Sequence, residues 1–473
     1  MPDQLRCYSP VDGKQYVQRS YCSDEELIAA VRNARAAQQD WQSMPLEQRL
    51  GLLDKVLDYF DEHRSLIAEQ ITWQMGRPSR YAEGEINGVL ERGRHMLAIA
   101  PEALANVQPS NDSALNSASE QGIDHYIELT PVGLVLTVAP WNYPLLTTVN
   151  SVIPALAAGN GVLLKPSAQT PLAGEHFQRA CAQAGLPKGL LQCVHLRHEQ
   201  SSRLLSEGLV DFASFTGSVQ AGAEFERSAA GQFLGLGLEL GGKDPAYVRA
   251  DLTAEQLEEA AVALADGAFF NSGQSCCGIE RIYVAETYYE RFCERFVQEV
   301  SQLKLGSPIE LETSLGPLVR PAAANWVREQ IQQAVEQGAK AWIDGSEYPL
   351  DDGEGAYLAP QVLTDVNHSM SVMSEESFGP VVGIMPVSSD EQAIELMNDS
   401  DYGLSASIWT RDKDAAQLIG QQIQTGTVFM NRCDYLDPAL AWTGVKQTGR
   451  GVSLSSLGYA QLTQAKSFHL RLD

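Results

Sequence analysis

Between residues 131 and 242 short apolar runs alternate with helical segments, and this rhythm limits the possible folds more than any other feature of the sequence. GLVLTV (133–138) and GVLLK (161–165) are unbroken apolar runs, the pattern of strands buried on both faces. The helix after the second run carries its own punctuation. Thr170 stands at the capping position, Pro171 fits the first turn, and Gly185 with Pro187 marks the stop. LLQCVHL (190–196), DFASFTG (211–217) and LGLELGG (236–242) supply further strands with helices between them. Strand–helix alternation of this kind specifies an α/β fold built on a doubly wound parallel sheet.

A second αβ series follows Gly242: a helix over 253–269, a strand at RIYV (281–284) and a helix over 287–303. A chain of 473 residues is too long for one ordinary core, so two large domains with appendages are expected, changing over near residue 242. Upstream, Ser23 and Glu26 have capping-box spacing for a helix over 23–38. Leu46, Leu50, Leu53, Val56, Leu57 and Phe60 form one helical stripe, and Gly76 with Pro78 ends that helical region. HYIELT (125–130) and SFHLRL (467–472) fit neither series and alternate like half-exposed strands. Unpaired edges invite association, so pairing between subunits, in a homodimer or homotetramer, is expected.

Composition narrows the function classes. Hydrophobic residues make up 44% and charged residues 20%, an ordinary globular balance. A formal charge of −26 repels phosphate backbones and anionic lipid, which argues against nucleic acid and membrane as partners. The most apolar stretch, 131–166, is broken by Pro140, Pro144, Pro154, Asn142 and Asn150, so it does not suit a bilayer. MPDQLRCYSPVDGK lacks the basic and apolar regions of a secretory signal, and a cytoplasmic protein is expected. The eight cysteines show no CxxC spacing and no histidine cluster nearby, so neither a disulfide framework nor a metal site is expected.

Four segments carry candidate chemistry. FFNSGQSCCGIER (269–281) puts Cys276 behind a glycine-containing turn, where a thiol can be exposed and backbone N–H groups can face an attached oxygen. A free cysteine is more often a small core residue, and Cys277 beside it reads that way. LELGGKDP (238–245) sets Glu239 in an apolar run, where desolvation raises a carboxyl pKa toward general-base use; an ion-paired structural Glu is the alternative. APWNYPL (139–145) holds Asn142 between prolines at a strand end, as a turn residue or as an amide donor to an oxyanion. FTGSVQAG (215–222) opens a helix after a strand, either as plain punctuation or as an anion site.

Together PWNYP, LLKPSAQTP, FTGS, LELGGK, NSGQSC, EESFGP and TGVKQTGRG resemble, in order and spacing, the aldehyde dehydrogenase superfamily over nearly the whole chain. The resemblance implies NAD(P)-dependent oxidation of an aldehyde through a thioester, with Cys276 as nucleophile, Glu239 as general base and Asn142 as oxyanion donor. It implies a cofactor held by Trp141, Lys165, Ala168, Gly217, Ser218, Glu376 and Phe378, and no metal. Tyr143, Asn150, Phe270 and Trp442 match positions along the family's substrate tunnel. The implied division is a cofactor-binding domain at 1–116 and 132–241, a catalytic domain at 242–445, and oligomerisation strands at 117–131 and 460–473.

Two positions depart from common members of the family. Ala168 stands where NAD-using members often carry Glu, so NADP becomes admissible beside NAD. Asn150 stands where succinate-semialdehyde members tend to carry Arg, which counts against a dicarboxylic semialdehyde. The aromatic tunnel positions suit an aliphatic or aromatic aldehyde, with a cationic amino-aldehyde as the alternative. A CoA-acylating semialdehyde dehydrogenase of the same fold and a non-catalytic binding protein are the competing readings. Glu239 weighs against the first, and the filled catalytic positions weigh against the second.

Overall fold

The computed structural model describes residues 4–108 and 123–471. The expected strand start at 117–122 and the last two residues therefore lie outside the described residues.

The first series forms a six-stranded sheet. Its spatial order is Gly449–Arg450, Gly235–Glu239, Phe212–Thr216, Leu134–Val138, Gly161–Lys165 and Leu191–Cys193, all parallel except the first. Leu134–Val138 is buried at every position, as a strand covered on both faces must be. In chain order the five parallel strands run 3-2-1-4-5 across the sheet, so the winding direction reverses between Leu134–Val138 and Phe212–Thr216. A crevice opens outside the carboxyl ends of the strands at such a reversal. The helix Asp24–Ser43 covers this sheet, and its capping box is complete: Ser23 accepts from the Glu26 N–H while Glu26 accepts from the Ser23 N–H.

The second sheet has seven strands in the order Lys340–Ala341, Gln361–Thr364, Val381–Val387, Ile279–Ala285, Asp244–Val248, Ser405–Trp409 and Thr427–Met430. Only Lys340–Ala341 runs antiparallel to its neighbour. The chain passes from one sheet to the other between Glu239 and Asp244. Three strands of the second sheet, Asp244–Val248, Ile279–Ala285 and Val381–Val387, begin just after LELGGK, NSGQSC and EESFGP. The carboxyl ends of one sheet thus meet the amino ends of the other, and the chemistry-bearing segments collect at that seam.

A separate antiparallel ribbon pairs Ile123–Pro131 with Thr463–Arg471 in register from Thr463↔Pro131 to Arg471↔Ile123. Some local details differ from the sequence reading. Thr170 occupies the cap of Pro171–Ala184 but makes no capping bond; its hydroxyl, fully buried, is directed at the Pro140 carbonyl at 3.5 Å. The strand expected over 190–196 shrinks to Leu191–Cys193 at the sheet edge. The run 236–248, read as one strand to Gly242, is two strands in two sheets.

Candidate active site

Cys276 follows a turn of unusual backbone. Asn271, Ser272 and Gly273 have φ values of +54°, +57° and +71°, between the helix Ala254–Phe269 and the strand Ile279–Ala285. Two consecutive non-glycine residues in the left-handed region are costly and persist only when their surroundings over-determine them. Here they do. The Ser272 hydroxyl donates to the Gly316 carbonyl at 2.9 Å, and the Asn271 amide donates to the Gln274 carbonyl at 3.2 Å. The Gln274 side chain returns a bond to the Asn271 carbonyl and accepts from the Val319 N–H at 2.8 Å. At Gly273 a Cβ would lie 2.2 Å from the Gly379 carbonyl oxygen, so only glycine passes. The turn delivers Cys276 half-buried into the seam.

Asn142 meets the same turn: its side-chain amide donates to the Gln274 carbonyl at 3.1 Å. Arg77 joins the two segments, donating to the Asn142 carbonyl at 2.7 Å and the Asn271 side-chain oxygen at 3.2 Å. It pairs with Glu85 at 2.8 Å, both side chains being essentially inaccessible. The other Glu85 oxygen accepts from the Leu145 and Leu146 N–H groups, fixing the start of the helix Leu146–Ala157. Neither Arg77 nor Glu85 was singled out in the sequence. A signal was present in the helix Ser79–Ala103, where Glu85 and Arg92 interrupt the buried stripe of Ala82, Ile86, Val89, Gly93 and Met96. Charges at core-facing positions are rarely buried without a partner.

A cavity of about 610 Å³ extends from Cys276 toward the crevice of the first sheet. Asn142, Trp141, Lys165, Gly217, Ser218, Glu376 and Phe378 all line it with Cys276. Ser218 caps the helix Val219–Ala229, and Gly217 donates its N–H to the Glu239 carbonyl. The remaining first-turn N–H groups and the helix dipole favour an anion there. Burial pushes the Lys165 ammonium down to about 8, and it has no partner among the described residues. Burial, reinforced by the charge of Glu280, pushes Glu376 up to about 7, and its carboxylate accepts from the Gly242 N–H at 2.9 Å. The rings of Trp141 and Phe378 meet edge to face at 5.6 Å. Ala168 is exposed and does not line the cavity, whereas Ser167 does.

Glu239 is placed differently. Its carboxylate accepts from the Ser453 hydroxyl and, at 3.4 Å, from Thr216. Burial raises its pKa, opposed by those hydrogen bonds and by Arg92. The group lines a small cavity of about 30 Å³, room for one water, together with Asn150, Ser453 and Thr147. Thr147 also lines the large cavity and so forms part of the wall between them. Asn150 is buried there with neither side-chain polar atom partnered among the described residues. The structure therefore brings Asn150 to Glu239. Tyr143 lies under the Arg77 guanidinium at 4.6 Å, and Phe270 packs edge-on against Tyr81 at 5.3 Å. Trp442 is buried, its main chain exchanging two bonds with Ser453. The Cys277 thiol is also buried and donates to Asp434 at 2.9 Å, which marks it as a packed residue. Among the described residues no cluster of three or more His, Cys, Asp or Glu is placed to hold a metal.

Comparison with known proteins gives one family. Residues 2–468 match the description "Aldehyde dehydrogenase family". An aldehyde dehydrogenase of Paenarthrobacter nicotinovorans is 33% identical over 94% of this chain and 94% of its own length. A succinate semialdehyde dehydrogenase [NAD(P)+] of Escherichia coli is 31% identical, over 95% of this chain and 94% of that protein. The crystal structure of an NADP-dependent glyceraldehyde-3-phosphate dehydrogenase of Bacillus halodurans, complexed with NADP, superposes with a TM-score of 0.92. That match is 32% identical and covers 99% of this chain and 96% of the other.

Proposed function

Because the chain belongs to the aldehyde dehydrogenase family, we propose that Cys276, Asn142 and Glu239 carry its reaction as nucleophile, oxyanion donor and general base. The reaction itself is oxidation of an aldehyde to its carboxylic acid with NAD(P). The observation that carries the Cys276 and Asn142 assignments is the cavity they share with the Lys165–Ser218–Glu376–Phe378 wall. The Glu239 assignment draws on its carboxylate in the adjoining small cavity. That wall fits the cofactor. An unpartnered buried ammonium and a helix amino end suit its adenosine and phosphates, and Glu376 with Phe378 suits the nicotinamide ribose and ring.

Cys276 attacks the carbonyl carbon as thiolate, forming a C–S bond. The oxyanion that develops is held by the Asn142 amide and the Cys276 N–H, in a site fixed before the substrate arrives. NAD(P), when bound, supplies the hydride acceptor. Loss of hydride leaves a thioester on Cys276. Glu239, its pKa raised by burial, acts in its ionised form: it takes a proton from water, which attacks the thioester and releases the acid. Its carboxylate lines the small cavity and not the one that holds Cys276, so a side-chain movement toward Cys276 precedes this step.

The substrate reading is an aliphatic or aromatic aldehyde; it draws on the family positions that Tyr143, Phe270, Trp442 and Asn150 match. In the structure none of the four lines the Cys276 cavity, and Asn150 lies in the small cavity with Glu239. Both NAD and NADP remain admissible with Ala168. The three-part division at 1–116 with 132–241, 242–445, and 117–131 with 460–473 is supported by the two sheets and the ribbon. A homodimer or homotetramer joined through the ribbon is supported by the exposed strand Thr463–Arg471. A cytoplasmic location draws on eight unpaired cysteines; among the described residues no helix is long and apolar enough to cross a membrane. The test is cofactor reduction across an aldehyde panel with both cofactors, with acid measured in the presence and absence of CoA. Acid release that needs no CoA supports the water-activating base. Release of acyl-CoA alone overturns it.

A further inference from the structure

Lys243 and Glu280 stand four residues beyond Glu239 and Cys276, and no step above uses them. Glu280 occupies a bulge. Where Ile279–Ala285 pairs with Asp244–Val248, Ile279 faces Asp244 and Arg281 faces Pro245, so Glu280 has no opposite residue. Bulges beside functional sites re-aim a side chain. This one turns a carboxylate onto the main chain of the Glu376–Phe378 turn, where it accepts from the Ser377 N–H at 2.8 Å and the Phe378 N–H at 2.9 Å. Lys243 completes the arrangement, donating to Glu280 at 2.5 Å and to the Ser377 hydroxyl at 3.0 Å. Both side chains are shut away from solvent, at 0% and 5% exposure.

The held turn is strained. Phe378 has φ +51°, left-handed backbone that a bulky residue keeps only when its neighbours impose it. A buried ion pair is a weak source of net stability. Charge-assisted bonds to two successive N–H groups are instead a strong source of geometry. On one side of Ser377 is Glu376, bonded to the Gly242 N–H, and on the other the Phe378 ring, against Trp141. We propose that the Lys243–Glu280 pair is a positioning device for the cofactor. It locks the 376–378 turn and so fixes the carboxylate and ring against which the nicotinamide half is seated. The proposal rests on the reading of Glu376 and Phe378 as cofactor residues.

The test uses the purified full chain and three variants: Glu280→Gln, the double variant Lys243→Met with Glu280→Met, and Glu376→Gln. Glu280→Gln strands a buried ammonium and lowers stability. The double variant leaves no stranded charge. Cofactor KM, kcat at saturating cofactor and the iodoacetamide alkylation rate of Cys276 are measured for each. Loss of the clamp raises cofactor KM by about 10-fold or more, the weight of a hydrogen bond to a charged group, while alkylation stays near the wild-type rate. A merely structural defect lowers the active fraction, cutting kcat per chain and leaving KM in place. Raised KM in Glu376→Gln with unchanged KM in the double variant overturns the clamp alone. Unchanged KM in Glu376→Gln overturns the cofactor assignment beneath it.

Discussion

Cys276 sits on a turn whose neighbours are bonded on every side, whereas Glu239 ends a strand with two hydroxyl groups on its carboxylate and a one-water cavity beside it. The turn holds left-handed residues in place with Arg77, Gly316 and Val319 as anchors. The difference matches the two demands of the proposed reaction. A nucleophile and its oxyanion donor must stay in register to within fractions of an ångström, which rigid backbone provides. A base that serves only the second half of the reaction must stay clear of the thiol during the first. The nucleophile is fixed through its main chain, whereas the base is held only by two side-chain hydroxyl groups on its carboxylate.

Four experiments break or sharpen that contrast. Cys276→Ser should lower the dehydrogenase rate by at least ~10³-fold, because an alcohol at neutral pH is a far poorer nucleophile than a thiolate. Cofactor binding, followed by protein fluorescence, should survive. Near-normal turnover would remove Cys276 from the chemistry altogether. Glu239→Gln should lower steady-state turnover by roughly 10²-fold, at the lower end of general-base contributions. Rapid mixing should still show a burst of reduced cofactor, with thioester on Cys276 by intact mass. If the burst disappears as well, Glu239 acts on the thiol too, and the two regions are not separate in function.

Arg77→Lys is the third. The Glu85 pair can persist, but lysine cannot reach the Asn142 carbonyl and the Asn271 side chain together. Turnover should fall by about 10-fold, the weight of a lost charged hydrogen bond, without a change in cofactor KM. Unchanged turnover would mean the turn holds itself. Ser453→Ala gives the smallest effect. Its hydroxyl favours the charged form of Glu239, so removing it raises a pKa that burial has already raised. Glu239 acts as base only when ionised. The acid limb of the thioester-hydrolysis rate should therefore move to higher pH. A limb that stays put would show that the Ser453 contact is absent during turnover.

The parallel-sheet core was legible because strands buried on both faces read as unbroken apolar runs, as in Leu134–Val138 and Gly161–Lys165. The change of sheet after Glu239 was less so. Leu236–Gly242 and Asp244–Val248 are both apolar, and nothing in their periodicity marks the break. Motif order led to eight residues that the structure brings to one cavity wall. It did not lead to Arg77, Glu85, Lys243 or Glu280, because each acts through a partner distant in sequence. A bulge at Glu280 is a property of strand pairing that no single strand displays. The orientation of Glu239 was equally hidden, since local sequence does not say which side of a strand end its carboxylate takes.

The crossing from Glu239 to Asp244 leaves four residues between the two sheets, and its glycines have no room to spare. A Cβ on Gly242 would lie 2.1 Å from the Cys276 carbonyl oxygen, and one on Gly241 2.7 Å from the Glu376 carboxylate. This makes the crossing a ruler. Surface loops elsewhere can lengthen over evolutionary time at small entropic expense, but one residue inserted here would displace Glu239 or Lys243 from everything it meets. Natural length variation should accumulate outside 239–244. A chimera that exchanges the halves of this chain with those of a relative should keep the crossing whole and take both sides of it from one parent.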